Sequence, residues 1–264
     1  MKRITLLLAA LLLLTGCSQT SVEKIYEDLV PVDFYFVSDT PRGFKLFSET
    51  QEYKVEDGNL NLQVISDLVS GVIAPIDPQY VNLWGQGNTV NSVTVDQSRA
   101  TVDLGTLNLN VGAESEQRAI DQIVWTLTEF SPNIEAVMFT VNGKPVESFA
   151  GHVDTTAVFK RGIDYEVLNP IQISSINQGA ELTSPITISG EACTFEANVQ
   201  WGLLQDGKVV QKGFTTASSG CPERGQWSIT ITDLTPGNYT IEALEYSAED
   251  GSLFAIDDKE FVVD

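Results

Sequence analysis

Histidine, cysteine and positive charge are scarce in this chain of 264 residues. It has one histidine, three cysteines, and 15 lysines and arginines against 36 aspartates and glutamates, which gives a net charge of -21. A zinc site of two or three histidines is excluded, and any Ser-His-Asp or Cys-His nucleophile system would have to use His152. The acidic field repels phosphates, which excludes nucleic acid as a partner and rules out basic-patch binding to anionic lipid.

Motifs for cofactors and catalysis are also missing. The Gly85-Gln86-Gly87 segment lacks the third glycine of a dinucleotide fingerprint, and no Walker sequence is present. His152 lies between Gly151 and Val153, a context typical of a loop histidine in water. We therefore expect no catalytic residues, no cofactor and no metal, and we interpret the protein as a non-enzyme.

The N-terminus has the pattern of an export signal. Lys2 and Arg3 precede an apolar run over 4–14, about half the roughly 20 residues that a transmembrane helix needs. The run ends at a Leu-Thr-Gly-Cys quartet that resembles the bacterial lipobox, whose cysteine carries the lipid. We expect lipidation at Cys17 and a protein anchored on the extracytoplasmic face of the cell membrane. The alternative is an ordinary signal peptide with an incidental cysteine.

The two cysteines beyond the signal are Cys193 and Cys221. Disulfides persist outside the cytoplasm, so we expect these two residues to pair. Free thiols or metal ligands are the alternative, which the lack of a CxxC motif and the distance to His152 disfavour. Their spacing is shorter than that of the bridge between the sheets of antibody domains, and it indicates a local tie at a sheet edge.

The character of the sequence changes near Asn169, and this predicts two domains behind a tether. We assign residues 1–17 to the signal and lipobox cysteine, 18–30 to the tether, 31–168 to an α/β domain and 169–264 to an all-β domain. The fold class is therefore α+β, with a two-layer α/β domain followed by an immunoglobulin-like sandwich.

Two helices and two hairpins are predicted in the first domain after its initial strands. One helix begins after Asn59 and ends near Gly71; the other carries the stripe Ile120, Ile123, Val124, Leu127 and ends before Pro132. The hairpins are predicted over 90–104 and over 134–149, the second with a turn at Asn142-Gly143.

Seven strands separated by turn signals are predicted in the second domain. They cover Ile171–Ile176, Ile186–Ser189, Ala197–Leu204, Val209–Thr215, Gln226–Thr232, Tyr239–Ser247 and Phe254–Val263.

Several motifs resemble known domains. Those at 99–105, 122–129, 137–146 and 160–165 are similar to the GerM-type sporulation and germination domain called GerMN. Those at 183–190, 195–201, 225–231 and 246–251 resemble the immunoglobulin-like germination-associated domain Gmad2. The resemblance implies export, lipid anchoring and a role in assembling envelope complexes. Some actinobacterial lipoproteins join a GerMN-like domain to a propeller and act beside a sensor kinase; this chain departs from that pattern.

The sequence gives only weak indications of residues that contact a ligand. Asp103 follows a strand, where it could bind turn donors or a ligand, and Trp84 lies in a glycine-rich loop where its indole could be exposed to a sugar. Asp250, Asp257 and Asp258 could bind calcium but lack the spacing of a calcium loop. The leading hypothesis is a non-catalytic interaction or assembly module with an envelope protein as partner. A wall-polymer or small-ligand binding module is the second hypothesis, and an enzyme of unknown type is the third.

Overall fold

The computed structural model describes residues 29–56 and 58–264. The export signal, Cys17 and nearly all of the tether lie outside these residues. Within the described ranges, no helix combines the length and apolarity needed to span a bilayer.

A long antiparallel hairpin opens the first domain. Strand β1 (Leu29–Thr40) pairs along its whole length with β2 (Gly43–Lys54). Helix α1 (Leu60–Ser70) follows, and the side chain of Asn59 accepts a hydrogen bond from the backbone N–H of Leu62, as the predicted N-cap requires. Gly71 ends the helix with φ of 74°, so both predicted ends are confirmed.

A three-stranded sheet forms the second part of this domain. Its strands are β3 (Val90–Asp96), β4 (Arg99–Leu104) and β5 (Ala136–Val141), with β3 antiparallel and β5 parallel to β4. Parallel neighbours need a crossover, and helix α2 (Ala113–Phe130) supplies it. Helix α2 ends before Pro132, as predicted.

The predicted hairpin over 134–149 is wrong in its second half. Asn142 and Gly143 do adopt positive φ values of 50° and 74°, but Lys144 makes only an isolated bridge to Val141 and no strand follows. Pro145 has no N–H to donate, and the backbone N–H groups of 149, 150, 152 and 153 donate to the carboxylate of Glu116, described below. The strand edge of β5 is paired instead by Phe159, which bridges to Val137.

Helix α2 is buried almost all round because elements pack on it from several sides. It contacts the hairpin through β1 and β2, and it also contacts α1 and β5. The helices thus pack against two separate small sheets rather than one. The buried side chains of this first core include Phe34, Phe36, Ile65, Leu68, Ile120, Ile123 and Leu127.

The second domain follows the short helix α3 (Asp164–Val167) and is a sandwich of two sheets. All seven predicted strands are present, and one three-residue strand was not predicted. In chain order they are β6 (Ile171–Ile173), the unpredicted β7 (Ala180–Leu182), β8 (Ile186–Ala192), β9 (Asn198–Gln205), β10 (Lys208–Thr216), β11 (Gly225–Ile231), β12 (Gly237–Tyr246) and β13 (Leu253–Val263).

One sheet has the order β10-β9-β12-β13-β7 and the other β11-β8-β6. Cys193 follows β8 and Cys221 precedes β11, two neighbours in the second sheet. A disulfide joins these cysteines, whose Cα atoms lie 4.5 Å apart. The disulfide therefore joins two neighbouring strands at one edge of this sheet. The α+β class and the immunoglobulin-like sandwich agree with the prediction.

Candidate functional site

A buried cluster of charges joins the two domains. The ammonium of Lys259 lies 2.9 Å from an oxygen of Asp77 and 2.8 Å from an oxygen of Asp257, and it donates to the hydroxyl of Tyr80 at 2.7 Å. Asp77 and Tyr80 belong to the first domain, and the four side chains are almost completely buried. Burial would lower the pKa of Lys259, but the carboxylates of Asp257 and Asp77 outweigh it and raise that pKa. We call these four residues the junction cluster.

Backbone donors hold the carboxylates of this region in place. Glu49 on β2 accepts from the backbone N–H groups of Ile76 and Asp77 at 2.8 and 2.7 Å, which fixes the loop that presents Asp77. Asp257 accepts from the backbone N–H of Ile173 at 2.6 Å, and burial raises its pKa. These hydrogen bonds hold Asp257 and the loop of Asp77 in place around the ammonium of Lys259.

The connection between the domains is itself paired with the first domain. Leu168 forms a bridge with Leu46 on β2, and the backbone N–H of Asn169 donates to the carbonyl of Leu46 at 3.0 Å. The amide of Gln172 donates to the carbonyl of Ser48 at 2.9 Å. Together with the junction cluster, these contacts make one body of the two domains.

A polar cleft of about 370 Å³ lies beside this junction and has walls from both domains. The guanidinium of Arg161 lies 4.7 Å from the ring of Trp125 and 2.5 Å from an oxygen of Glu129. The ring of Tyr35 lies 5.5 Å from that of Trp125, and burial together with Glu129 raises the pKa of Tyr35. Arg224 lines the opposite wall.

An open groove of about 560 Å³ lies on the sandwich at strands β10, β9 and β12. Its apolar lining includes Val209, Phe214 and Tyr246, and Phe214 is 74% exposed. Lys212 and Glu242 also line it, so the groove carries no excess of charge in a strongly acidic protein. Strand β10 is the edge of its sheet among the described strands. We call this feature the β10 groove.

Asp103 is occupied by hydrogen bonds inside the protein. It accepts from the hydroxyl of Thr140 at 2.6 Å, the amide of Asn91 at 2.9 Å and the backbone N–H of Gly143 at 2.7 Å. These bonds lower the pKa of Asp103. Asp103 lies within β4 and not after a strand, and its backbone donor belongs to the turn after β5. A ligand contact for Asp103 stays a prediction.

Trp84 is buried, although its glycine-rich loop allowed the indole to be exposed. Its side chain is 3% exposed, and its indole N–H donates to the carbonyl of Ala119 on α2 at 2.7 Å. Its ring also makes an edge contact with Phe149. The glycine-rich loop folds over the helix, so the indole face packs in the core and is not available for stacking on a sugar.

Glu116 has a structural role beyond its expected place at the N-terminal end of a helix. It is fully buried at the start of α2, and one carboxylate oxygen accepts from the Ser148 hydroxyl and the amides of 149 and 150 at 2.7–2.9 Å. The other oxygen accepts from the amides of His152 and Val153. Burial opposes ionisation, but these bonds lower the pKa of Glu116. The sequence does indicate this burial, because Glu116 lies four residues before Ile120 and therefore on the apolar face of α2.

The other residues that were candidates for catalysis or calcium binding do not form a common site. The ring of His152 is exposed, and only its backbone contacts Glu116. Asp250 accepts from Ser252, whereas Asp257 belongs to the junction cluster and Asp258 accepts from Gln79. In residues 29–56 and 58–264, no three His, Cys, Asp or Glu side chains are placed to hold a metal ion.

Three family profiles match the chain. The sporulation and spore germination family, Germane, matches residues 33–147, and the immunoglobulin-like domain of bacterial spore germination, Gmad2, matches residues 170–252. The prokaryotic membrane lipoprotein lipid attachment site matches residues 1–18. No curated protein gives a significant match.

Among solved structures, the first GerMN domain of the sporulation protein GerM from Bacillus subtilis is 20% identical, with a TM-score of 0.38; the match covers 48% of this chain and 94% of that one. The tandem GerMN domains of the same protein are 16% identical, with a TM-score of 0.42, over 78% of this chain and 62% of that one. On the three profile matches, the chain is a lipid-anchored extracytoplasmic membrane protein that carries a Germane domain followed by a Gmad2 domain.

Proposed function

We propose that this lipoprotein is a non-catalytic module that binds another protein in an envelope complex of the sporulation and germination type. The observation that carries the proposal is the β10 groove. Phe214 is 74% exposed and shares the groove with Val209 and Tyr246. A contiguous apolar feature of this kind on a soluble domain is typical of a protein-binding surface, and an edge strand adds unpaired backbone groups.

The rest of the molecule supports this role. The junction cluster fixes the second domain to the first, so a partner bound at the β10 groove would be held in a defined orientation. The lipid attachment site keeps the molecule at the membrane. The matched families are structural and germination domains rather than enzyme families, which favours binding over catalysis.

Site-specific photo-crosslinking in native membranes tests the proposal. A photoreactive amino acid in place of Phe214 is expected to give one defined adduct with an envelope protein. Val72 provides a matched control, because it is 69% exposed on the first domain and lies far from the β10 groove in the sequence. The same adducts from both positions, or none from Phe214, would refute the proposal.

The second candidate function is binding of a cell-wall polymer or a small ligand. Because Trp84 is buried, it no longer supports stacking of a sugar on its indole. The cleft between the domains is instead the feature that favours this function. A wall-polymer pull-down that retains the wild-type protein, but not a variant of the cleft residue Arg161, would support this candidate. Retention of both proteins alike would count against it.

A further inference from the structure

The β10 groove runs along strand β9, with β10 and β12 as its two walls. Neighbouring strands lie about 4.8 Å apart, so the two walls are separated by about 10 Å. The register sets Lys212 beside Gly202 and Gly202 beside Glu242, so the middle of this row has no side chain. A helix with its side chains is about 10–12 Å wide and does not fit between such walls, whereas one extended chain does.

The floor of the groove carries side-chain amides that bind nothing within the protein. Asn198 is exposed and Gln200 is half-buried, both line the groove, and neither side chain makes a hydrogen bond to another described residue. Residues two apart in a strand lie about 7 Å apart on the same face. An extended peptide presents the N–H and C=O groups of every second residue along one edge, at the same repeat. Each floor amide, with its acceptor and donors, therefore matches one peptide unit of an extended ligand.

The walls supply apolar contacts and two unpaired charges. Gln200 has Phe214 beside it on β10 and Leu244 beside it on β12. In the adjacent row, Lys212 and Glu242 carry opposite charges, and neither forms an ion pair in the described part of the chain. The side chains of an extended peptide alternate between two sides. The groove is thus complementary to acidic and apolar side chains toward β10, and to basic and apolar side chains toward β12.

The edge of β10 is less suited to a partner than this face of the sheet. A bulge interrupts the pairing of β10 between Val209 and Gln211. Toward the other end of β10, the hydroxyl of Thr215 donates to the carbonyl of Ser228 on β11 at 3.1 Å. The bulge and the neighbouring strand leave only a short run of free backbone groups for an added strand. A partner segment would therefore be held mainly by the face.

We propose that the β10 groove binds an extended segment of the partner protein, laid along β9 with its backbone on the amides of Asn198 and Gln200. The side chains of the segment alternate between the walls, with an acidic residue at Lys212 and a basic residue at Glu242. This inference rests on the proposed function, because it uses the same groove and names the kind of segment that enters it.

Two blocked octapeptides test the proposal on the chain from Ser18. The first repeats Asp-Lys-Leu-Leu, so its extended form places Asp and Leu toward one wall and Lys and Leu toward the other. The second repeats Asp-Leu-Lys-Leu, which has the same composition but places all charges toward one wall. In NMR of the nitrogen-15-labelled protein, the first is expected to shift the side-chain amide signal of Gln200 saturably, and the second to bind about tenfold more weakly. A Gln200→Ala variant assigns that signal.

N-methylated forms of the first octapeptide report on recognition of the backbone. One form is methylated at its odd residues and the other at its even residues, so each loses N–H donors along one edge only. Because one edge faces the floor amides, one form is expected to bind about tenfold more weakly than the other. The double variant Asn198→Ala, Gln200→Ala should remove this difference, measured from the backbone signals of β9. Gln211→Ala is the control, since Gln211 pairs with Leu203 and lies outside the groove.

A second double variant, Lys212→Met with Glu242→Gln, tests the charges of the walls. It should bind the two octapeptides alike, because neither wall then distinguishes an acidic from a basic side chain. Retention of the wild-type preference in this variant would overturn the proposal.

Other results would also overturn it. These are no saturable shift of the Gln200 signal with the first octapeptide at millimolar concentration, equal binding of the two octapeptides to the wild-type protein, and equal binding of the two methylated forms. Saturable binding of chitotetraose at Gln200 in place of the peptide would identify a glycan site instead. If Phe214 still cross-links to an envelope protein while the octapeptides fail, this inference alone is refuted, whereas loss of the cross-links refutes the proposed function.

Discussion

Replacing Lys259 with methionine is expected to be among the most destabilising single changes in the protein. The ammonium of Lys259 donates to Asp77, Asp257 and Tyr80, and the two carboxylates are almost inaccessible to water. Methionine keeps much of the apolar stem but leaves two buried anions without their cation. Breaking a buried ion pair by removal of one partner costs about 3–5 kcal/mol, and we expect a loss of this size.

Urea unfolding of the chain from Ser18 measures the effect, with Lys212→Met on the exposed face of β10 as the control. The control should change the free energy of unfolding by less than about 0.5 kcal/mol. Because the cluster links the domains, Lys259→Met should also separate the unfolding of the first domain from that of the second. Asp77→Asn and Asp257→Asn added to Lys259→Met should recover part of the loss, since neutral amides replace the unpaired anions.

The pH dependence provides an independent check. Burial raises the pKa of Asp257 in the folded state, and it should rise further without Lys259. An acid whose pKa is higher in the folded than in the unfolded protein stabilises the fold more as the pH falls. The loss in the free energy of unfolding caused by Lys259→Met should therefore be smaller near pH 4 than at pH 7. A loss below about 1 kcal/mol at pH 7, or one that grows in acid, would refute the reasoning.

Three further changes test other parts of the structure. Glu116→Gln should cost about 2–4 kcal/mol at neutral pH, with Glu135→Gln as a neutral control in urea unfolding. Because the folded pKa of Glu116 is lowered, its contribution should be full above its unfolded pKa of about 4.3 and fade as the pH falls through the folded value. Replacing Cys193 and Cys221 with serine should lower the unfolding free energy by about 3 kcal/mol, measured against the oxidised protein. Trp84→Ala should cost about 3–5 kcal/mol in thermal unfolding and should leave any binding of wall polymer unchanged.

Local features of the fold could be predicted because their causes lie within a few residues. Asn59 and Gly71 are standard cap residues at the ends of α1. Strand β11 alternates between core positions such as Trp227 and exposed positions such as Ser228, which is the two-residue period of a strand. The three-residue strand β7 is too short to show such a period, and it was missed.

The junction cluster could not be predicted because its members are far apart in the sequence. Asp257 and Lys259 read as the polar face of a strand, yet in β13 they point inward with Ala255 and Phe261. Their partners, Asp77 and Tyr80, precede them by about 180 residues in a loop with no regular pattern. The cleft is unpredictable for the same reason, since its walls form only when the two domains are joined.

A distance measurement across the junction tests most directly the claim that the two domains form one body. Spin labels at Val72→Cys in the first domain and Ser228→Cys in the second would be measured by double electron–electron resonance, with the native disulfide intact. We predict one narrow distance distribution that broadens in Lys259→Met. A broad distribution in the protein with an intact junction would contradict the account.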